Sequence, residues 1–417
     1  MELVERLAKH LDRDGLVQRL QALVRIPSVT GEEDAAQTEV ARILRELGGD
    51  VDAWRPDVRA LQGEPHFPGG RVLTPRLNVV ATFPGAGAGP TLVLNGHMDT
   101  VTAGDERRWS HLPFGGDIAD GKLFGRGACD MKGGLAAILG GLDAIQKAGV
   151  RLRGSISVQS VIGEEDGGLG TFAALHRGHR GDGVIVCEPT RLEVVPAHAG
   201  VTVFRITVTG RAAHGAVRQE GVSAFHKFLP IHQALLALEQ RRNQTLRHPL
   251  YEGNPLPWPL SIGMLAAGTW PAIVPETLTA EGRIGVAIGE SVLNVRAQTE
   301  DTVRHAAAQD PWLSEHPPRV DWTGGTWEPS LTSRDHPLVR ALGDAVAAVT
   351  GQPAAVRGAS YGSDLRLFTN HFGIPGAHFG PGDIRQAHFT DEYVTLAEVE
   401  TAALALAVAV ARICGSS

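Results

Sequence analysis

The chain is poor in cysteine. Its three thiols, Cys129, Cys187 and Cys414, are an odd set with no short pairing. That excludes a disulfide framework and points to a reducing, cytoplasmic setting. Basic charge is also in short supply. The formal net charge is -7, which argues against a nucleic-acid partner gripped through a basic face. No apolar run approaches the roughly 20 residues that cross a bilayer, so no membrane partner is expected. The opening segment MELVERLAKHLDRDG has helical periodicity with interspersed charge and lacks the apolar core of a signal peptide. Internal repeats and low-complexity tracts are absent.

What is present is ordinary globular composition. Across 417 residues, 43% are hydrophobic and 20% charged, enough to bury a large core in two or three domains. Short runs rich in Val, Ile and Leu recur as LNVVATF, TLVLNG, SISVQSVIG and GVIVCEP. Each ends at glycine or a polar residue, as buried strands of a largely parallel sheet do. Helical patterns separate them, which predicts an α/β layer architecture. At the start, one helix is expected over Glu2 to Arg25 and a second over Glu32 to Leu47, with Thr30 and Glu33 spaced as a capping box.

The texture changes near Pro196. VTVFRITVTG alternates strictly, and strand and helix patterns then follow in β-α-β-β-α-β order, a ferredoxin-like sequence. The expected layout is a first part over residues 1–196, an inserted α+β domain over 197–328, and a return to the first domain over 329–417.

Five segments carry side chains suited to divalent cations: LNGHMDT with His97 and Asp99, GRGACDMKGG with Asp130, VIGEEDGG with Glu164 and Glu165, VCEPT with Glu188, and RQAHFTDEY with His388. His nitrogens and carboxylate oxygens together bind hard-to-borderline metals that activate water and polarise carbonyl or phosphoryl oxygens. Three of these segments follow strand patterns directly, at the carboxyl ends where open α/β sheets bind ligands. Each segment alone has a plainer reading. His97 with Asp99 is equally a loop histidine near an acid, and Glu164–Glu165 a solvated acidic loop. Cys129 and Cys187 precede Asp130 and Glu188 and are read either as thiolate ligands or as small packing residues.

Taken in series, the five segments resemble the signature of the M20 metallopeptidase and deacylase family, over nearly the whole chain and in the same order. The resemblance implies a zinc-exopeptidase-like catalytic domain with a mixed, largely parallel sheet, plus an inserted ferredoxin-like lid that also serves as the dimerisation surface of a homodimer. It implies two divalent ions, zinc first, with cobalt or manganese in its place. Carried over, His97 and Glu188 match ligands of one ion, Glu165 and His388 ligands of the other, and Asp130 the bridging carboxylate. Glu164 matches the general base and Asp99 the carboxylate that orients His97. A cis peptide is expected at Asp130–Met131. In the lid, His214 matches a histidine that reaches a neighbouring subunit's active site and steadies the oxyanion, and Arg283 a holder of a substrate carboxylate. The loops bearing Ser363 and Gly380 match substrate-side loops. One departure stands out: Ala272 occupies a position where many members have a substrate-contacting Asn.

The expectation is a metal-dependent amidohydrolase that removes an acyl group from a small N-acylated amino acid or amine. A dinuclear exopeptidase, either dipeptidase or carboxypeptidase, is the first alternative. A non-catalytic binding module on the same fold is the remote one.

Overall fold

The structure is a computed structural model and describes residues 2–416. The chain divides into two compact units: Met1–Ala197 with Leu331–Arg357 and Ser363–Ser417, and His198–Ser330 with Gly358–Gly362.

The first unit is built on a mixed sheet. Reading across its nine described strands from one edge, the first six are Asp50–Trp54, Asn78–Phe83, Ile156–Val161, Leu92–His97, Gly183–Val186 and Gly376–His378. The last four of these run parallel to one another, and the first two pair antiparallel. Every residue of Leu92–His97, Ile156–Val161 and Gly183–Val186 is buried. Helices cover both faces of such strands, which explains why they read as unbroken apolar runs rather than alternating ones. Two helices, Gly133–Lys147 and Leu396–Ile413, pack closely against each other. Small residues make the approach feasible: a Cβ on Gly141 would lie 2.8 Å from the Ala403 carbonyl oxygen, and one on Gly134 would lie 2.0 Å from that of Cys187. Gly134 thus lets the helix that follows Asp130 sit directly against the strand end that precedes Glu188.

The opening differs from expectation. Glu2–His10 and Arg13–Arg25 are separate helices. Asp12 breaks them: its side chain accepts the Gly15 N–H at 2.9 Å and caps the second helix, the usual task of an aspartate at this position. The capping box at Thr30 and Glu33 does not form either. The helix begins at Asp34 without a side-chain cap from Glu33. Glu33 instead accepts the Gly31 N–H and pairs with Arg76 at 2.8 Å, while the Thr30 hydroxyl donates to Asp99. Both residues are drawn toward the functional site.

The second unit is a four-stranded antiparallel sheet in the order Leu260–Ala267, Thr277–Val286, Gly200–Thr209, Arg319–Trp327. The helices Ala224–Thr245 and Val292–Ala308 contribute to its core with Phe228, Ile231, Leu235, Val295 and Val303. This is the ferredoxin-like strand order. The helix Ala224–Thr245 continues through Pro230. The residues 358–362 pack with this unit although they lie far along the sequence: Tyr251 donates its hydroxyl proton to the Ala359 carbonyl at 2.8 Å. No helix among the described residues is long and apolar enough to cross a membrane.

Candidate metal centre

The parallel strands of the first unit end at the residues singled out above. His97 closes Leu92–His97, Glu164 and Glu165 follow Ile156–Val161, and Glu188 follows Gly183–Val186. Asp130 lies in a non-helical kink ahead of Gly133–Lys147, with φ −119° and ψ 96°, and the Asp130–Met131 peptide is cis. His388 sits in the loop before the last helix at φ 60°.

These side chains converge in two sets of three that share Asp130: His97, Asp130 and Glu188, and Asp130, Glu165 and His388. Within each set the donor atoms lie within 4.8 Å of one another. His97 Nε2 is 3.0 Å from Asp130 Oδ1 and 4.0 Å from Glu188 Oε1. His388 Nε2 is 2.9 Å from Glu165 Oε1 and 3.6 Å from Asp130 Oδ2. The aspartate thus offers one oxygen to each set.

The electrostatics are those of a place that needs cations. Asp99, Asp130, Glu164, Glu188 and Asp364 are all buried. Uncompensated buried carboxylates are costly. Burial pushes Glu164 well above the usual carboxylate range, and the charges of Asp364 and Glu188 add to this. Glu188 rises for the same reason, burial first and Asp130 second. Burial is the strongest single influence on Asp130 and raises it, but the hydrogen bond from His97 and the charges of His97, His388 and Arg126 together hold Asp130 low. Burial opposes the charged form of His97, yet Asp130, Glu188 and Asp99 together lift it well above its ordinary value. The charge of Glu165 lifts His388 to about 9. Two imidazoles cannot balance this many acids, and the donor set of nitrogen and carboxylate oxygen suits divalent metals.

Asp99 is placed differently from the expectation. The nearest acceptor for His97 Nδ1 is the Asp99 backbone carbonyl at 2.9 Å; the carboxylate is 3.6 Å away. The carboxylate is occupied elsewhere, accepting the backbone N–H groups of Glu164 and Glu165. Ser363 is fully buried, and its hydroxyl lies 2.5 Å from His378 Nε2. Gly380 is also interior: a Cβ there would lie 2.6 Å from the carbonyl oxygens of both Cys187 and Glu188. It braces the strand end that carries Glu188. Cys129 and Cys187 are buried free thiols, and burial raises both. Neither joins a candidate metal set among the described residues, so they pack rather than ligate.

His214 and Arg283 belong to the second unit. His214 Nδ1 accepts the Ala216 N–H at 3.1 Å. Arg283 donates to the Ser360 carbonyl at 3.3 Å. Burial lowers its guanidinium to about 10, and no described carboxylate pairs with it.

Sequence reasoning overlooked several residues. Asp364 is buried and its charge acts on Glu164. A Cβ on Gly168, at φ +93°, would lie 2.1 Å from Asp364 Oδ1. Arg366 donates to the Gly167 carbonyl at 2.7 Å and lies 3.6 Å from Asp364. Glu392 and Arg126 pair at 2.6 Å beside Asp130. The only signals available were proximity in sequence: Glu392 follows His388 by four residues, and Arg126 precedes Asp130 by four.

A match to peptidase family M20/M25/M40 spans residues 93–412. The chain belongs to this family. It is 28% identical over 424 aligned positions to N-formyl-4-amino-5-aminomethyl-2-methylpyrimidine deformylase of Halalkalibacterium halodurans, covering 96% of this chain and 95% of that one. It is 29% identical to succinyl-diaminopimelate desuccinylase of Methylorubrum populi, over 91% and 93% of the two chains. Among solved structures, human carnosine dipeptidase 1 superposes with a TM-score of 0.79 at 17% identity, over 99% of both chains. That last likeness concerns the fold. The two relatives by sequence named here are, by name, a deformylase and a desuccinylase.

Proposed function

We propose that this M20 chain hydrolyses the amide bond of a small N-acylated amine or amino acid, at a centre that holds two divalent ions. The observation that carries the reading is the sharing of Asp130 between two three-donor sets with Glu164 buried alongside. His97, Asp130 and Glu188 would hold one ion, and Asp130, Glu165 and His388 the other. Such ions supply Lewis acidity and lower the pKa of bound water toward neutrality. We assign zinc first, with cobalt or manganese as substitutes.

The chain's own residues supply the rest. Glu164 Oε1 is buried without a hydrogen-bond partner, so it is open to a proton from the attacking water. The water oxygen bonds to the carbonyl carbon, the C–N bond breaks, and Glu164 passes the proton to the leaving nitrogen. Asp99 holds the Glu164–Glu165 backbone, and the Asp99 carbonyl fixes His97. By family resemblance we assign His214 to the oxyanion and the second unit to the role of lid. Arg283, a half-buried guanidinium without an acid partner among the described residues, suits a carboxylate on the substrate. Ser363 and Gly380 support the site from behind rather than touching substrate.

The lid also supports a homodimer. Its edge strand Leu260–Ala267 carries no charged residue and exposes Met264 and Leu265. An unprotected apolar edge of this kind favours pairing with another chain. Three unpaired thiols agree with a cytoplasmic setting.

The test is a panel of N-formyl, N-acetyl and N-succinyl substrates with dipeptides, assayed after chelation and after Zn²⁺ or Co²⁺ return. Metal-dependent release of an acyl group supports the deacylase. Turnover of dipeptides alone would favour the exopeptidase. Full activity after complete chelation would remove the metal reading.

A further inference from the structure

Glu392 is fully buried and Arg126 nearly so, at 3% exposure. They form an ion pair at 2.6 Å through Glu392 Oε2. The other carboxylate oxygen, Oε1, accepts two backbone N–H groups, from Cys129 at 2.9 Å and Asp130 at 3.1 Å. Arg126 also donates to the Phe389 carbonyl at 3.3 Å and the Thr102 carbonyl at 3.2 Å. One pair therefore ties together three segments: the one after His97 and Asp99, the one containing Asp130, and the one containing His388.

Stability alone is a poor explanation for this pair. A buried ion pair is typically matched or bettered in stability by apolar residues of the same volume. What an apolar pair cannot do is accept main-chain donors. At Asp130 and Met131 the backbone leaves helical geometry, and N–H groups at such a helix entry need acceptors from outside. Asp99 does the same for Glu164 and Glu165, with a hydroxyl from Thr30 in support. In both places a buried carboxylate grips consecutive main-chain N–H groups of a candidate ligand segment.

We propose that the Arg126–Glu392 pair is a positioning element of the metal centre. It sets the Asp130 main chain and the His388 segment against each other, so that the shared aspartate and the histidine reach the same ion. The proposal rests on the reading of Asp130 and His388 as metal ligands.

The test compares wild type with Glu392→Gln and Glu392→Leu. Zn²⁺ affinity is measured by chelator competition on stripped protein, alongside the melting temperature of the metal-free form. Partners of metal ligands typically cost 10–100-fold in affinity when removed. Glu392→Gln keeps one accepting oxygen and the side-chain shape but loses the charge pair, and is expected to bind Zn²⁺ about tenfold more weakly. Glu392→Leu is expected to lose about a hundredfold. If Glu392→Leu does not fold, the near-isosteric Gln variant decides alone. Wild-type Zn²⁺ affinity in a folded variant overturns the proposal, even if its melting temperature falls, because the pair would then serve stability only. If wild type itself took up no metal, the metal reading would fail first and this proposal with it.

Discussion

Asp99 Oδ1 accepts the backbone N–H of Glu164 at 3.1 Å. Its Oδ2 accepts the N–H of Glu165, also at 3.1 Å, and the Thr30 hydroxyl at 3.0 Å. The carboxylate therefore sets the loop on which the proposed base and one proposed ligand stand. Asp99→Asn replaces one acceptor with an NH₂ group that faces a donor. The backbone carbonyl that receives His97 is retained. The expected outcome is a loss of about 10–100-fold in kcat/KM. Steady-state kinetics check it, and unchanged kinetics would release Asp99 from this role.

Glu164 is within reach of the centre but stands outside both three-donor sets. Glu164→Gln keeps its volume and removes the proton acceptor. The rate is expected to fall by about 10²–10⁴-fold while bound metal stays at the wild-type level. Stopped turnover with intact metal content, measured by elemental analysis, separates a base from a ligand.

The sharing of Asp130 makes a prediction about stoichiometry. His388→Ala removes a donor from one set only, so the set of His97, Asp130 and Glu188 should still retain an ion. Asp130→Asn weakens both sets at once. Metal-to-protein ratios after dialysis are expected to fall by about half in the first variant and nearly to zero in the second, following the ligand logic of dinuclear sites. Equal loss in both would argue against a shared aspartate.

The strands that deliver His97, Glu165 and Glu188 were legible because burial on both faces forces unbroken apolar runs, and each run stops where its candidate ligand begins. The candidate ligands were legible as a set because metal chemistry restricts residue type and because their series resembles the M20 signature. What escaped were the residues whose partner is main chain. Nothing about Arg126 or Glu392 marks them in sequence, since a carboxylate that accepts N–H groups from a distant loop, and the guanidinium paired with it, have no local pattern. The break at Asp12 was missed for a related reason: helical periodicity runs across it, and a single side chain capping Gly15 decides the boundary. Thr30 and Glu33 had the right spacing for a cap, but their tertiary partners, Asp99 and Arg76, claimed them.

Arg283 yields the last prediction. It is half-buried in the second unit, its guanidinium lowered to about 10 by loss of solvent, with one hydrogen bond to the Ser360 carbonyl and no acid partner among the described residues. A partly desolvated cation in that state gains from an incoming anion, a charge-assisted bond contributing about 1.5–3 kcal/mol. The two relatives by sequence differ in this respect, since the name succinyl-diaminopimelate denotes a substrate with carboxylates and the formylaminomethylpyrimidine has none. Arg283→Met should therefore raise KM by roughly 10–100-fold for carboxylate-bearing substrates and leave carboxylate-free ones nearly unchanged. A Lys in its place restores charge without the planar fork, so it should recover only part of the loss. Michaelis constants for a matched pair of substrates, one a free acid and one its amide, give the comparison directly. If Arg283→Met weakens both members of the pair equally, the guanidinium is a structural part of its unit and the substrate carboxylate is held elsewhere.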